Sequence, residues 1–351
     1  MTIAHNIYIH VPFCMSKCNY CAFFSHACAS PDWETYTRGI LSEIDYWGNT
    51  IGNIDVPTIF FGGGTPSLMP TKYFDEIIRH LRAHFNVLTD AEITLESNPG
   101  TLDNARLGEF IEYGINRLSI GVQSLNDDEL KFLGRRHNVN DAMKLIDNAM
   151  SHRIRVSADF IYGLPGHSVQ SVEKLCNDIN KIGLRHCSMY ELTIEPGTPF
   201  GKMNLDMPGN NDMADMYNTI KNTLVLPRYE VSNYATPGFE CGHNQNVWDG
   251  APYIGIGIGA AGRVFMNNTW YEQMGAHMKF DPMSTNTRAI EKVITGLRTM
   301  RGVMLANDVK NVLNMEYITN HPELVYITGD RICATERGLM ILDDLLTHVI
   351  I

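Results

Sequence analysis

Six short runs rich in β-branched and aromatic residues, separated by stretches with helical spacing, constrain the fold of this chain more than any other feature. The runs are NIYIHV (6–11), TIFFGGG (58–64), EITLESN (92–98), RLSIGVQS (117–124), RVSADFIYG (155–163) and HCSMYELTI (186–194). Amphipathic segments at 33–47, 71–85, 103–114, 140–150 and 171–183 lie between them. Strands that alternate with helices pair in parallel through right-handed crossovers, so the expected class is α/β, as a doubly wound sheet or a barrel. Periodicity alone does not choose between the two. Past residue 200 the rhythm breaks at the Pro-, Gly- and Asn-rich GKMNLDMPGNND, followed by RYEVSNYA, CGHNQNVW and the glycine run YIGIGIGAAG. From about residue 285 the pattern is mainly helical, with a hairpin-like LVYITGDRICATERG. The expected division is a core at 1–200, an extension at 201–284 and a small, winged-helix-like C-terminal domain at 285–351.

The unusual residues collect where the strands end, and in parallel barrels that end builds the active site. The first strand runs into Cys14, Cys18 and Cys21, the second into GGGTPS, and the third reaches Glu96. The fourth reaches Gln123, and the fifth carries Asp159 and runs into YGLPG. Each feature has a plainer reading by itself, since glycine-rich turns and solvated loop carboxylates are common. Shared placement at one mouth argues for a site. Gly62, Gly63 and Gly64 would let a ligand approach the backbone closely. The run is neither a GxxxxGK[ST] phosphate loop nor a GxGxxG fingerprint.

Three cysteines in CMSKCNYC are too few for a closed structural zinc site and too many for one disulfide. Soft thiolates select iron–sulfur clusters, zinc or copper. A cubane held by three cysteines keeps one iron free of protein ligands, and the spacing differs from ferredoxin runs, which supply four thiolates. Zinc with Cys28 or His26 as fourth ligand is the rival. With 351 residues and no export signal, disulfides are not expected, and Cys176, Cys187, Cys241 and Cys333 read as single buried thiols. A net charge of −11 argues against a nucleic-acid partner. No run approaches the roughly 18 apolar residues of a membrane span, and the expected location is the cytoplasm.

The ordered motifs YIHVPFCMSKCNYC, FFGGGTPS, ESNPG, RLSIGVQS, DFIYGLPG and ELTIEPGTPF resemble the radical S-adenosylmethionine superfamily, in its HemN-related branch. The resemblance implies a partial (β/α)6 barrel with a smaller, mainly helical C-terminal domain. It implies that Cys14, Cys18 and Cys21 hold a [4Fe–4S] cluster and that S-adenosylmethionine chelates the remaining iron. The matching cofactor positions are Tyr8, Tyr20, Gly63, Gly64, Thr65, Glu96, Gln123, Arg135 and Asp159, with Thr193 a weaker match. The polar residues among them would fix the methionine and ribose.

Two groups of that branch compete. Oxygen-independent coproporphyrinogen III dehydrogenases continue the motif as CxxxCxxCxC and carry a long extension before it. Here position 23 is Phe23, and 13 residues precede Cys14. Both features point instead to the heme-chaperone group, which binds heme and hands it to acceptor proteins. ECGHNQNVW (240–248) resembles that group's HNxxYW motif, with Val247 where the group has tyrosine. This makes His243 the candidate heme contact. YEVSNYA (229–235) and GLRTMRGV (296–303) also resemble the group. The implied partners are heme and an acceptor protein; a homodimer is left open.

Overall fold

A computed structural model describes residues 3–274 and 279–351. Six parallel strands follow in chain order across one sheet: β1 (Asn6–Val11), β2 (Asp55–Gly63), β3 (Asn86–Ser97), β4 (Arg117–Gln123), β5 (Arg155–Tyr162) and β6 (His186–Glu191). Consecutive strands are hydrogen-bonded neighbours throughout. This singly wound order is that of a barrel, and it resolves the choice that periodicity left open. The crossovers are α1 (Trp33–Ile51), α2 (Thr71–His84), α3 (Asn104–Glu112), the pair α4 (Asp127–Phe132) and α5 (Val139–Ser151), and α6 (Val169–Ile182).

These helices form for local reasons. Asp32 accepts from the Thr35 amide to cap α1, and Asn138 and Asp141 make a reciprocal capping box on α5. On α2 the buried residues Phe74, Ile77, Ile78 and Leu81 recur at i, i+3, i+4 and i+7. Each contributes about 1.5–3 kcal/mol on leaving water.

The sheet continues beyond the six strands on both sides. After α7 (Asn210–Thr223), β7 (Asn233–Ala235) pairs antiparallel with β6. After α8 (Gly242–Trp248), β8 (Tyr253–Ile256) inserts parallel to β1, pairing Asn6 with Tyr253 and Ile9 with Ile256. An antiparallel meander of β9 (Ala261–Met266), β10 (Thr269–Met274) and β11 (Lys279–Met283) extends that edge, giving an 11-stranded sheet. The glycine run YIGIGIGAAG is therefore β8 and its exit. Adding a Cβ to Gly255 would bring it within 2.3 Å of the Ala261 carbonyl oxygen, so only glycine allows that close approach.

Side chains alternate across the strands, and the two faces differ in chemistry. One carries Ile7, Ile9, Phe61, Leu95, Ile120 and Phe160, all buried in the main apolar cluster with the helices. The other carries Thr58, Glu92, Glu96, Arg117, Asp159 and His186. This polar face is the barrel interior. A second apolar cluster, including Val293, Leu297, Val325, Ile332 and Leu345, forms around α9 (Thr285–Gly296) and a small antiparallel sheet. The strands of that sheet are β12 (Val303–Met304), β13 (Val325–Thr328) and β14 (Arg331–Ala334), in the order β12-β14-β13. The expected hairpin is thus present, with a third strand added.

Candidate functional site

The loop after β1 is pinned from several directions. Phe13 and Cys14 form a two-residue parallel ladder with His26 and Ala27, and the Cys28 amide donates to the Cys14 carbonyl at 2.9 Å. Asn19 donates to Phe132 and Leu133, and Lys17 donates to the carbonyls of Phe23 and Ser25. Cys28, left unexplained by the motif, therefore closes the base of this loop. Cys14, Cys18 and Cys21 open onto a cavity of about 360 Å³ at the C-terminal ends of the strands. Tyr20, Gly63, Gly64, Thr65, Glu96, Gln123, Arg135, Asp159 and Thr193 line the same cavity. Twelve of the fourteen positions singled out from the sequence thus converge.

Two do not. Tyr8 lies beneath the cavity floor, its hydroxyl 3.0 Å from His10 Nδ1 and its ring stacked on Phe60. His243, expected to contact heme, is 5% exposed and sits deeper inside the barrel, away from the mouth. Its Nδ1 is 2.7 Å from the Thr58 hydroxyl, which itself donates to Asn6 Oδ1. Its amide donates to Glu92 Oε1 at 2.9 Å. Burial lowers its pKa to about 4, which keeps the ring neutral. This burial follows from α8: its first turn is bound to the Glu92 carboxylate, so the motif packs inside the barrel rather than presenting its imidazole to solvent.

At the mouth, backbone and side chains tie the glycine turn and Arg135 to the cysteine loop. Gly64 donates to Val11 and Thr65 to Phe13, each at 2.7 Å, stitching the glycine turn to the cysteine loop. A Cβ at Gly64 would stand 2.6 Å from the Phe13 carbonyl oxygen, and Gly63 has φ +110, so both positions need glycine. Arg135 reaches Cys18 Sγ at 3.3 Å and donates to the Gly121 carbonyl at 2.7 Å. Despite its burial, Arg135 is held more firmly protonated than usual by Tyr20 and Cys18. Thr65 donates to Cys14 Sγ at 3.7 Å.

Two carboxylates face this positive and thiol-rich side. Removal from water, then the nearby Asp159 charge, push Glu96 from 4.5 to about 8, although the Gly63 amide donates to it at 3.1 Å. Removal from water raises Asp159 as well, and Ser119 donates to it at 3.2 Å. Gln123 adopts φ +72 at a register shift between β4 and β5, a strained turn at the cavity wall.

Asn98 was not singled out from the sequence, yet it joins both sides: it donates to Thr65 at 2.9 Å and accepts from Arg135. Its position two residues after Glu96, back on the interior face, was the available signal.

The donor set can be tested against the possible metals. Thiolates on one tetrahedral zinc lie about 3.8 Å apart, from bonds of about 2.3 Å. The sulfurs of Cys14, Cys18 and Cys21 do not all lie within 4.8 Å of one another. That spread is wider than one tetrahedral zinc requires, whereas in a cubane each thiolate takes a different iron.

Fold and cysteine loop define a radical S-adenosylmethionine protein, and the superfamily's sequence pattern matches residues 8–179. Its cofactors are a [4Fe–4S] cluster and S-adenosylmethionine. The heme chaperone HemW of Escherichia coli is 38% identical over 267 residues, covering 74% of this chain and 70% of that protein. HemW of Lactococcus lactis is 30% identical over 365 residues, covering 95% and 94%. The chain belongs to the HemW family. The solved structure of E. coli coproporphyrinogen III oxidase HemN superposes with a TM-score of 0.82, covering 99% of this chain and 90% of that one. At 18% identity that likeness concerns the fold. No helix among the described residues is long and apolar enough to cross a membrane.

Proposed function

We propose that this chain is a cytoplasmic heme chaperone that takes heme at the barrel mouth and passes it to an acceptor protein. In this reading Cys14, Cys18 and Cys21 hold the [4Fe–4S] cluster, with S-adenosylmethionine beside it. The pair supplies one-electron chemistry at a sulfonium when bound. Glu96 and Asp159 meet the cationic ammonium and sulfonium groups, while the Gly63–Thr65 turn, without side chains at its two glycines, lets the ligand lie close against the backbone. Tyr20, Gln123, Arg135 and Thr193 orient the remainder, and Tyr8 supports the floor.

The observation that carries the chaperone reading is the surface beside the cysteine loop. Phe23 is 66% exposed and Phe24 57% exposed, with Met15 also exposed on the same loop. Large apolar side chains held out in water next to a cofactor cavity suit a flat apolar ligand such as heme. Relatives named for heme chaperoning support the same reading. The rival is oxygen-independent coproporphyrinogen III dehydrogenase, and the HemN-like fold keeps it in view.

The test is a heme titration of reconstituted protein followed by absorption. Phe23→Ala with Phe24→Ala should weaken heme binding by about tenfold, from lost apolar contact, and leave the iron content unchanged. Unchanged heme affinity would remove this surface from the proposal. Incubation with coproporphyrinogen III, S-adenosylmethionine and a reductant should give no protoporphyrinogen; robust turnover would favour the dehydrogenase.

A further inference from the structure

Away from the mouth, on the outer helical layer, His80 and His84 stand one turn apart on α2, and Asp45 of α1 faces both. His80 Nε2 is 2.7 Å and His84 Nε2 3.1 Å from the same carboxylate oxygen, Oδ1 of Asp45. All three donor atoms lie within 4.8 Å of one another. Among the described residues no lysine or arginine lies within 4.0 Å of that carboxylate, so the histidines are its partners.

Hydrogen bonding fixes the tautomer of one ring. His84 Nδ1 lies 3.0 Å from the His80 carbonyl oxygen, which can only accept, so Nδ1 carries the proton. In a neutral His84 the lone pair of Nε2 then faces the lone pairs of Asp45 Oδ1. Either a second proton on Nε2 or a metal ion then has to lie between these two acceptors. A backbone carbonyl orienting Nδ1–H while Nε2 points at a shared centre is also how metal-binding histidines are held. Two imidazoles and one carboxylate, with an open fourth position, are a zinc-type donor set. Donors on a tetrahedral zinc are about 3.4 Å apart, given bonds of about 2.1 Å. Against that spacing the histidine–carboxylate distances of 2.7 and 3.1 Å would open by about 0.7 and about 0.3 Å.

The neighbouring helix is shaped for the ring. Gly48 lies inside α1, where glycine is about 1 kcal/mol less favourable than alanine. A Cβ there would stand 2.6 Å from His84 Cδ2, so glycine leaves the space that His84 fills.

We propose that Asp45, His80 and His84 form a binding site for a divalent transition-metal ion of the zinc class, clasping α1 to α2. The site is separate from the cysteine loop and has its own ligands.

Zn2+ titration by calorimetry, and Co2+ titration by visible absorption, would be done on full-length protein whose cysteines already hold the reconstituted cluster. The expected result is one added ion per chain, Co2+ ligand-field bands without thiolate charge transfer, and a rise in Tm with Zn2+. His84→Ala and Asp45→Asn should each weaken binding by at least about tenfold and abolish the Tm rise. Gly48→Ala should also weaken it, although alanine favours the helix. Circular dichroism and the metal-free Tm report whether each variant folds, and Asp45, the most exposed ligand, provides the safest substitution. No uptake by cluster-loaded protein, uptake with thiolate bands, or equal affinity in the wild type and both ligand variants would overturn the proposal.

Discussion

The upper and lower halves of the barrel interior are both polar, but they are finished differently. In the lower half Glu92 accepts from the amides of Gly242 and His243 and pairs with Arg155 at 3.2 Å. Ser157 bonds His186, which bonds the Tyr229 hydroxyl, which accepts from Cys241. Partners there come from the chain itself. In the upper half removal from water raises the pKa of both Glu96 and Asp159, the Asp159 charge pushes Glu96 further, three thiols face open space, and Gln123 is held in a strained turn. A closed polar network holds the fold, whereas an unfinished one waits for a ligand.

The largest expected effect breaks the upper half outright. Cys14→Ala should abolish stable cluster assembly, seen as loss of iron and of the brown chromophore after anaerobic reconstitution, with little change in the far-ultraviolet circular dichroism. Substitution in the lower half should do the reverse. Glu92→Gln weakens charged hydrogen bonds to two amides and Arg155, and should cost about 2–3 kcal/mol in urea unfolding. Its cluster content should stay normal.

A pH experiment sharpens the contrast further. Glu96 titrates near 8 in the folded chain and near 4.5 when free. Its raised value means that the folded protein holds the proton more tightly. The associated stability is therefore full below about 4.5 and is lost as pH rises through about 8. Binding a cationic ligand favours the ionised carboxylates, so S-adenosylmethionine should bind more tightly as pH rises toward 8, with proton release in calorimetry. Asp159→Asn removes the neighbouring charge and should move that dependence to lower pH. The smallest effect concerns Gln123. Gln123→Gly relieves the left-handed backbone and should stabilise the unliganded protein by up to about 1 kcal/mol, while loosening S-adenosylmethionine binding.

The mouth was largely legible because its residues follow strand ends, and strands of this kind announce themselves by composition. Cys14, Glu96, Gln123 and Asp159 needed only their strand positions to be grouped. His243 shows the limit. Its motif was visible, but its place depended on Glu92 and Thr58, residues 151 and 185 positions away. No local pattern carries that information. The same holds for Tyr253–Ile256, whose partner strand begins at Asn6. Its Ile–Gly alternation serves tight backbone approach and gives no ordinary strand signal. The Asp45, His80 and His84 group escaped because two helices had to be laid side by side before its third ligand appeared.

The place of β1 in the sheet has a consequence for biosynthesis. It is made before the other described strands of its sheet, yet it lies between β2 and β8, and β8 ends at Ile256. At about 5–20 residues per second, the ribosome needs on the order of ten to fifty seconds to supply that second neighbour. Until then the apolar strand that leads into the cysteine loop keeps one edge open, a template for pairing with other nascent chains. The interval before Ile256 emerges is therefore when the growing chain most needs protection, and a stall placed there should raise aggregation more than one placed after it.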